Sequence, residues 1–206
     1  MRLDQEIWKE RFFQGGHTSL AGIDEAGRGP LAGPVVAAVC LIPKGIVFSG
    51  IDDSKKLSSL QRETVFSAIT GHREVLYGIA EVEAGVIDQI NILQATFLAM
   101  RKALETLAVF PSLALIDGPF IPPSFPCPAR AIVGGDAKSQ LIAAASILAK
   151  VTRDKIMREW DQKYPEYGFK TNFGYGTAKH LKALRECGPC EIHRRSFAPL
   201  RTMGNV

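Results

Sequence analysis

No apolar run in this sequence approaches the roughly 18 residues of a membrane span, and the opening Met1-Arg2-Leu3-Asp4-Gln5-Glu6 lacks the apolar core of a secretory signal. A cytoplasmic protein without membrane association is expected. Cysteine is scarce: Cys40, Cys127, Cys187 and Cys190 are too few, at 206 residues, for the disulfide framework of a small secreted domain. Cys187 and Cys190 with His193 lack the second cysteine pair of a structural zinc site. The phosphate-binding GxxxxGK[ST] pattern is missing, and Gly27-Arg28-Gly29-Pro30-Leu31-Ala32-Gly33 is one residue off the dinucleotide fingerprint and precedes a strand rather than a helix. No repeat or linker interrupts the chain.

Cys187-Gly188-Pro189-Cys190 matches the redox tetrapeptide of thioredoxin-like proteins, but such a motif follows a strand and opens a helix. Here it closes a helical pattern over residues 179–186, with Gly188 as the residue past the helix end and Pro189 as a stop. A structural helix terminus is expected.

The length suits one domain with a buried core and a small appendage. The net charge of +4 is unevenly spread. Residues 150–206 hold twelve Lys/Arg against six Asp/Glu, and residues 1–149 hold thirteen against fifteen. The C-terminal quarter is therefore the expected polyanion-facing part, against the plainer reading of a solvated helical surface.

The chain is organised around Gly22-Ile23-Asp24-Glu25-Ala26-Gly27-Arg28-Gly29-Pro30-Leu31-Ala32-Gly33-Pro34. Two adjacent carboxylates precede a glycine-rich turn bearing one arginine. Glycines permit positive φ and close approach, and the amides of such a turn form a cradle for an anion. Carboxylates beside that cradle repel a phosphate unless a cation lies between them, which points to metal-dependent chemistry on a phosphodiester.

Around this stretch the periodicity predicts strands over residues 19–24, 34–42, 74–82, 113–118 and 129–133. Helices are expected from near Leu60 with Ser58 as cap, over 84–88, over 92–107 with Asn91 as cap, over 137–161 with Asp136 as cap, and over 178–187 with Thr177 as cap. Leu93, Thr96, Phe97, Met100 and Leu104 recur at helical spacing as a core face. Residues 1–18, with Trp8, Phe12 and Phe13, read as a short amphipathic helix or docked arm, and residues 164–169 as a loop. Asp52-Asp53-Ser54-Lys55-Lys56-Leu57-Ser58 is a polar loop suited to phosphate contact. Tyr175, bracketed by Gly174 and Gly176, is an exposed ring able to stack on a sugar or base.

Asp24, Glu25, Asp117 and Asp136 each end an apolar strand or sit in a glycine turn, so a mixed α/β sheet can gather them. Three or four carboxylates without a His/Cys set select Mg²⁺ or Mn²⁺ over zinc. Two such ions activate a water and stabilise a leaving oxygen in phosphoryl displacement. Neighbours on a strand point to opposite faces, so Asp24 and Glu25 share a site only where the strand twists or ends.

Residues 22–34, 53–57, Ile116-Asp117-Gly118, Gly135-Asp136 followed by 143–154, Gly174-Tyr175-Gly176-Thr177 and 193–197 together resemble bacterial ribonuclease HII, the type 2 ribonuclease H, in the family's order and over residues 19–200. The resemblance implies an α/β ribonuclease H-like fold: a mixed five-stranded sheet flanked by helices, with an N-terminal arm (1–18), a catalytic domain (19–160) and a C-terminal helical substrate-binding extension (161–206). It implies a monomer that hydrolyses the RNA strand of RNA–DNA hybrids. It also implies cutting on the 5′ side of single ribonucleotides in duplex DNA, leaving a 3′-hydroxyl and a 5′-phosphate, by two-metal chemistry with Mg²⁺ or Mn²⁺. Asp24, Glu25, Asp117 and Asp136 become the metal-binding acids. Gly27, Arg28 and Gly29 face the 2′-hydroxyl and neighbouring phosphate, and Tyr175 recognises the ribonucleotide. Ser54, Lys55, Lys56, Ser146, Lys150 and the basic C-terminal quarter hold the backbone. One departure is Phe173, where the family often has a basic residue. The competing readings are a related-fold two-metal nuclease needing a run of ribonucleotides, or a non-catalytic hybrid-binding protein. No protein partner is legible.

Overall fold

The computed structural model describes residues 2–9, 19–51 and 57–203. Five strands form one sheet: β1 (Leu20–Ala26), β2 (Val35–Leu41), β3 (Leu76–Val82), β4 (Leu113–Asp117) and β5 (Ala129–Ile132), in the order β3-β2-β1-β4-β5. The first three make an antiparallel meander, while β4 runs parallel to β1 and β5 parallel to β4. The sheet is thus mixed, and the C-terminal ends of β1, β4 and β5 lie along one edge. Such an edge is where open α/β sheets carry their sites.

Every residue of β2 is buried, as its unbroken apolar run Val35-Val36-Ala37-Ala38-Val39-Cys40-Leu41 requires of a strand covered on both faces. Val36, Ala38 and Cys40 pack with Leu20, Leu113 and Leu115 against α4 (Gln140–Lys163), while Val35, Ala37 and Val39 pack with Ile23, Ala114 and Ile116 against α3 (Ala84–Glu105). The small side chains at 143–145 bring α4 so close to β1 that a Cβ on Gly22 would strike the backbone of Leu141 and Ile142. Only glycine fits there.

Caps fix the helix starts. Ser58 closes a capping box with Gln61 at the start of α2 (Ser59–Thr70), and Thr177 accepts from the His180 amide at the start of α6 (Ala178–Cys187). Asn91 has φ 66° inside α3 and its Oδ1 accepts from the Leu93 and Gln94 amides, so it caps the second half of a kinked helix. Thr96, Phe97, Met100 and Leu104 are core, whereas Leu93 is only half-buried.

Asp136 does not cap α4. It lies in a single 3₁₀ turn, Gly135–Ala137, and the helix starts three residues later than its spacing suggests, with Ser139 as the cap accepting from the Ile142 amide. The reason is a distant partner. α1 (Arg2–Ile7) brings in Asp4, whose carboxylate accepts from Ser139 Oγ and the Gln140 amide, both at 2.6 Å. The arm is docked by that carboxylate; Phe12 and Phe13 lie outside the described residues. Residues 164–169 are not a plain loop but a 3₁₀ turn (Pro165–Tyr167) leading into α5 (Phe169–Asn172). The last helix is α7 (Leu200–Met203). α4 runs unbroken past residue 160, and the segment beyond it builds a third apolar cluster in which Tyr167, Phe169, Leu184 and Ile192 pack on Leu31, Ala32 and Met157. No helix among the described residues is long and apolar enough to cross a membrane.

Candidate active site

Asp24, Glu25 and Asp117 lie together at the edge where β1 and β4 end, with Asp136 in the turn that follows β5. Asp24 faces α4, where Ser146 is near enough to favour its charged form, and its Oδ1 accepts from the Glu25 amide at 2.7 Å. Glu25 takes the other side, lining a hollow with Leu93, Phe97 and Asp117, and its carboxylate meets Arg28 Nη1 at 3.3 Å. Asp117 is the last residue of the neighbouring strand, and its charge is felt by both. Although Asp24 and Glu25 take opposite faces of β1, the carboxylate of Asp117, at the last residue of β4 and level with Asp24, is within electrostatic reach of both. Burial first, and then Glu25, hold the Asp24 carboxyl well above the usual carboxylate range. Burial also raises Glu25, against the lowering effect of Arg28. Asp117 Oδ1 accepts from the Gly135 amide at 2.7 Å, which draws the turn carrying the buried Asp136 against the end of β4. Among the described residues, no three acids, histidines or cysteines enclose an ion as they stand; Asp24, Glu25 and Asp117 are each turned to a local donor.

Next to the acids, the turn over residues 27–34 is held from behind by two buried arginines. Arg194, fully buried, donates from Nε and Nη2 to the Gly33 carbonyl, from Nη1 to that of Arg28 and from Nη2 to that of Gly27. Arg153, 1% exposed, donates to the carbonyls of Pro34, Ala32 and Phe173 at 2.9–3.0 Å. Burial pulls their pKa values down to about 10 for Arg153 and about 9 for Arg194. Both remain cations at neutral pH, and a forked guanidinium reaching several carbonyls is the task for which arginine is suited.

The backbone ties are equally direct. The Leu31 amide donates to the Gly174 carbonyl, the Gly33 amide to that of Ile192 and the Arg194 amide to that of Leu31. Tyr175 is thereby set beside the turn: a Cβ on Gly29 would lie 3.6 Å from Tyr175 Cε1, ordinary contact distance. Its ring is half exposed. Phe173 takes the left-handed conformation (φ 49°), and the Asn172 side chain locks the bend by accepting from the Gly174 amide and donating to the Tyr167 carbonyl. A groove lined by Glu25, Gly27, Arg62, Ser146, Lys150 and Tyr175 runs from this bend to the acids.

Of the residues picked out from sequence, Gly27, Ser146, Lys150 and Tyr175 line that groove together with Glu25, and Gly29 backs the tyrosine. Arg28, half exposed, is engaged with Glu25. Ser54, Lys55 and Lys56 lie outside the described residues. Lys150 pairs with Asp154 at 2.7 Å and stands 4.7 Å over the Phe173 ring, so an ammonium from α4 reaches the position beside Gly174 where the sequence lacks a basic residue. Within the basic quarter, Arg194 is committed to backbone carbonyls and His193 is buried, so neither faces a polyanion, whereas Arg153 lines the groove while its guanidinium is bonded to three carbonyls. Sequence reasoning missed the holding role of these two arginines, and it missed Arg62, which lines the groove while donating to the Leu57 carbonyl at 2.6 Å. At the helix end, Gly188 has φ 73° and its carbonyl accepts from Tyr167 Oη at 2.7 Å, as a structural terminus requires.

A family model described as Ribonuclease HII matches residues 21–200. Ribonuclease HII of Chlamydia caviae is 51% identical over 199 residues, 97% of this chain and 93% of that protein. The crystal structure of the ribonuclease H2 from Pyrococcus horikoshii OT3 superposes with a TM-score of 0.74 at 29% identity, covering 90% of this chain and 96% of that one. That of Bst-RNase HIII in complex with Mn²⁺ gives 0.72 at 18% identity, covering 92% and 70%, a likeness of fold. With this sheet order, and with a match that takes in the acid edge, the glycine turn and the tyrosine bend, the chain belongs to the ribonuclease HII family, nucleases that hydrolyse phosphodiester bonds.

Proposed function

We propose that this chain is an endoribonuclease that cleaves the RNA strand of RNA–DNA hybrids and also cuts on the 5′ side of a single ribonucleotide embedded in duplex DNA, leaving a 3′-hydroxyl and a 5′-phosphate. One observation carries this reading: the turn over residues 27–34 and the Tyr175 bend are bonded into a single block on the groove that leads to Asp24, Glu25 and Asp117. A rigid contact for one nucleotide at a fixed offset from the acids suits recognition of one 2′-hydroxyl, the group that separates RNA from DNA.

The residues suit a divalent cation. An all-oxygen donor set whose Asp24 and Glu25 carboxyls are raised by burial is the environment that a hard cation relieves. Asp24, Glu25, Asp117 and Asp136 would hold Mg²⁺ or Mn²⁺ in a two-ion site, with small rotations away from their present local donors. Such ions, when bound, supply an activated water and neutralise charge on the leaving oxygen. The chain's own residues bind and orient. Gly27 and Gly29 let the backbone approach the ribose, and Arg28 swings from Glu25 to a phosphate. Tyr175 offers its hydroxyl to the ribonucleotide and its ring to the next sugar. Lys150, Ser146, Ser54, Lys55 and Lys56 hold the backbone on either side, with residues 161–206 as the substrate-binding extension.

The test is a labelled DNA duplex with one ribonucleotide, incubated with the purified protein and Mg²⁺, Mn²⁺ or chelator. A single metal-dependent cut 5′ to the ribonucleotide is expected. Cleavage confined to long RNA–DNA hybrids would replace this reading with that of a nuclease needing a run of ribonucleotides.

A further inference from the structure

His180 and His193 are almost wholly buried, with 0% and 2% exposure, and their Nε2 atoms lie 2.9 Å apart. Two imidazoles at that distance share one proton, and their other nitrogens decide which ring carries it. The Cys190 amide donates to His193 Nδ1 at 3.0 Å, so that nitrogen is bare and the His193 proton sits on Nε2. On the far side, His180 Nδ1 lies 2.9 Å from the Tyr175 carbonyl, which only accepts, so His180 carries its proton on Nδ1 and leaves Nε2 bare. Four groups thus form one directed chain: the Cys190 amide to His193, His193 to His180, and His180 to the Tyr175 carbonyl. Neither ring has room for a second proton without setting two N–H groups against each other. Tyr167 and Phe169 wall the pair with aromatic edges and faces, at ring centroids 4.8–6.0 Å from the imidazoles.

The same segment holds the other half of the groove. Arg194, the residue after His193, grips the carbonyls of Gly27, Arg28 and Gly33, and residue 193 itself bridges to Ala32. Adjacent side chains therefore reach opposite ways from one strand-like stretch, one to the glycine turn and one, through His180, to the tyrosine bend.

We propose that His193 and His180 are positioning residues: their directed hydrogen bonds fix the carbonyl of Tyr175, and thereby the aim of its ring, and so set the preference for a lone ribonucleotide over a continuous hybrid. This rests on the reading of Tyr175 as the ribonucleotide contact. In His180→Asn the amide Nδ2 stands where imidazole Nδ1 stood and keeps the donation to Tyr175; His180→Phe fills the space and loses it.

The measurement is kcat/KM on a duplex with one ribonucleotide divided by kcat/KM on a long RNA–DNA hybrid, for wild type, His180→Asn, His180→Phe and Tyr175→Ala, each with its melting temperature. The ratio is expected to fall on the order of tenfold or more in His180→Phe and to stay within about threefold of wild type in His180→Asn, as a displaced contact residue requires. A His180→Phe protein that melts cooperatively and keeps the wild-type ratio overturns the proposal, as does equal impairment in His180→Asn. If Tyr175→Ala leaves the ratio unchanged, the reading of Tyr175 falls and the specificity role falls with it. A fall in Tyr175→Ala without one in His180→Phe removes the relay alone. Nitrogen-15 spectra of histidine-labelled wild-type protein need no variant: neutral His180 protonated on Nδ1 and His193 on Nε2 are expected, and the opposite tautomer in either ring overturns the chain of donors.

Discussion

Single side chains at the acid edge are positioned by bonds that survive a change of charge. Asp117 accepts the Gly135 amide through Oδ1, and an asparagine keeps that oxygen. Asp117→Asn should therefore fold as well as wild type while losing cleavage by several orders of magnitude, since one negative donor among the acids is gone. Substantial cutting in that variant, measured on the single-ribonucleotide duplex, would remove Asp117 from the catalytic set. His193 gives a pH signature. Burial, followed by its neighbour His180, depresses it from 6.5 to about 4. As pH falls from about 6.5 towards 4, the unfolded chain takes up this proton and the folded chain does not, so stability declines across that window by on the order of 2–3 kcal/mol. His193→Gln keeps a donor near Nε2 and has nothing to titrate. The stability gap between wild type and His193→Gln, from denaturant melts, should shift in the variant's favour by about that amount between pH 7 and pH 4; a constant gap would show that His193 titrates normally.

At the scale of helices and strands, the contact between β1 and α4 governs the site, because Asp24 and Ser146 meet across it. Gly22→Ala puts a methyl into the Leu141–Ile142 backbone and must push the helix away, at a cost of about 2 kcal/mol or more. Cleavage should drop with it even below the melting temperature, and a variant with wild-type stability and activity would show that the helix can yield. The elements themselves were legible in the residues. Short apolar runs bounded by turn residues marked the strands, Ser58, Asn91 and Thr177 marked caps, and acids at strand ends marked the edge, because each signal is local. What was hidden depended on distance along the chain. Ser139 displaced Asp136 as the cap of α4 because Asp4, from the opposite end of the sequence, reinforces it. Arg153 and Arg194 sit in a basic stretch and read as surface charge; nothing near them announces that their acceptors are carbonyls of residues 27–34. His180 and His193 carry no pattern at all, thirteen residues apart, until the fold brings their rings together.

For the molecule as a whole, the acid edge is a liability that a bound ion removes. Carboxyls raised by burial give up stability as pH rises through their folded pKa, so the cation-free protein is weakened at alkaline pH. Adding Mg²⁺ or Mn²⁺ should raise the melting temperature, and raise it more at pH 8 than at pH 5.5, because carboxyls with raised pKa values keep protons that compete with the ion to higher pH than ordinary ones do. Equal shifts at both pH values would argue that the ions bind elsewhere. The grip of Arg194 on Gly33 has a consequence of another kind, since the two residues are 161 positions apart. On a ribosome the glycine turn is made first and its guanidinium follows on the order of ten seconds or more later at ordinary rates of synthesis. Throughout that interval the glycine turn stands without the guanidinium that holds its carbonyls, so the groove cannot be completed until residue 194 has been made.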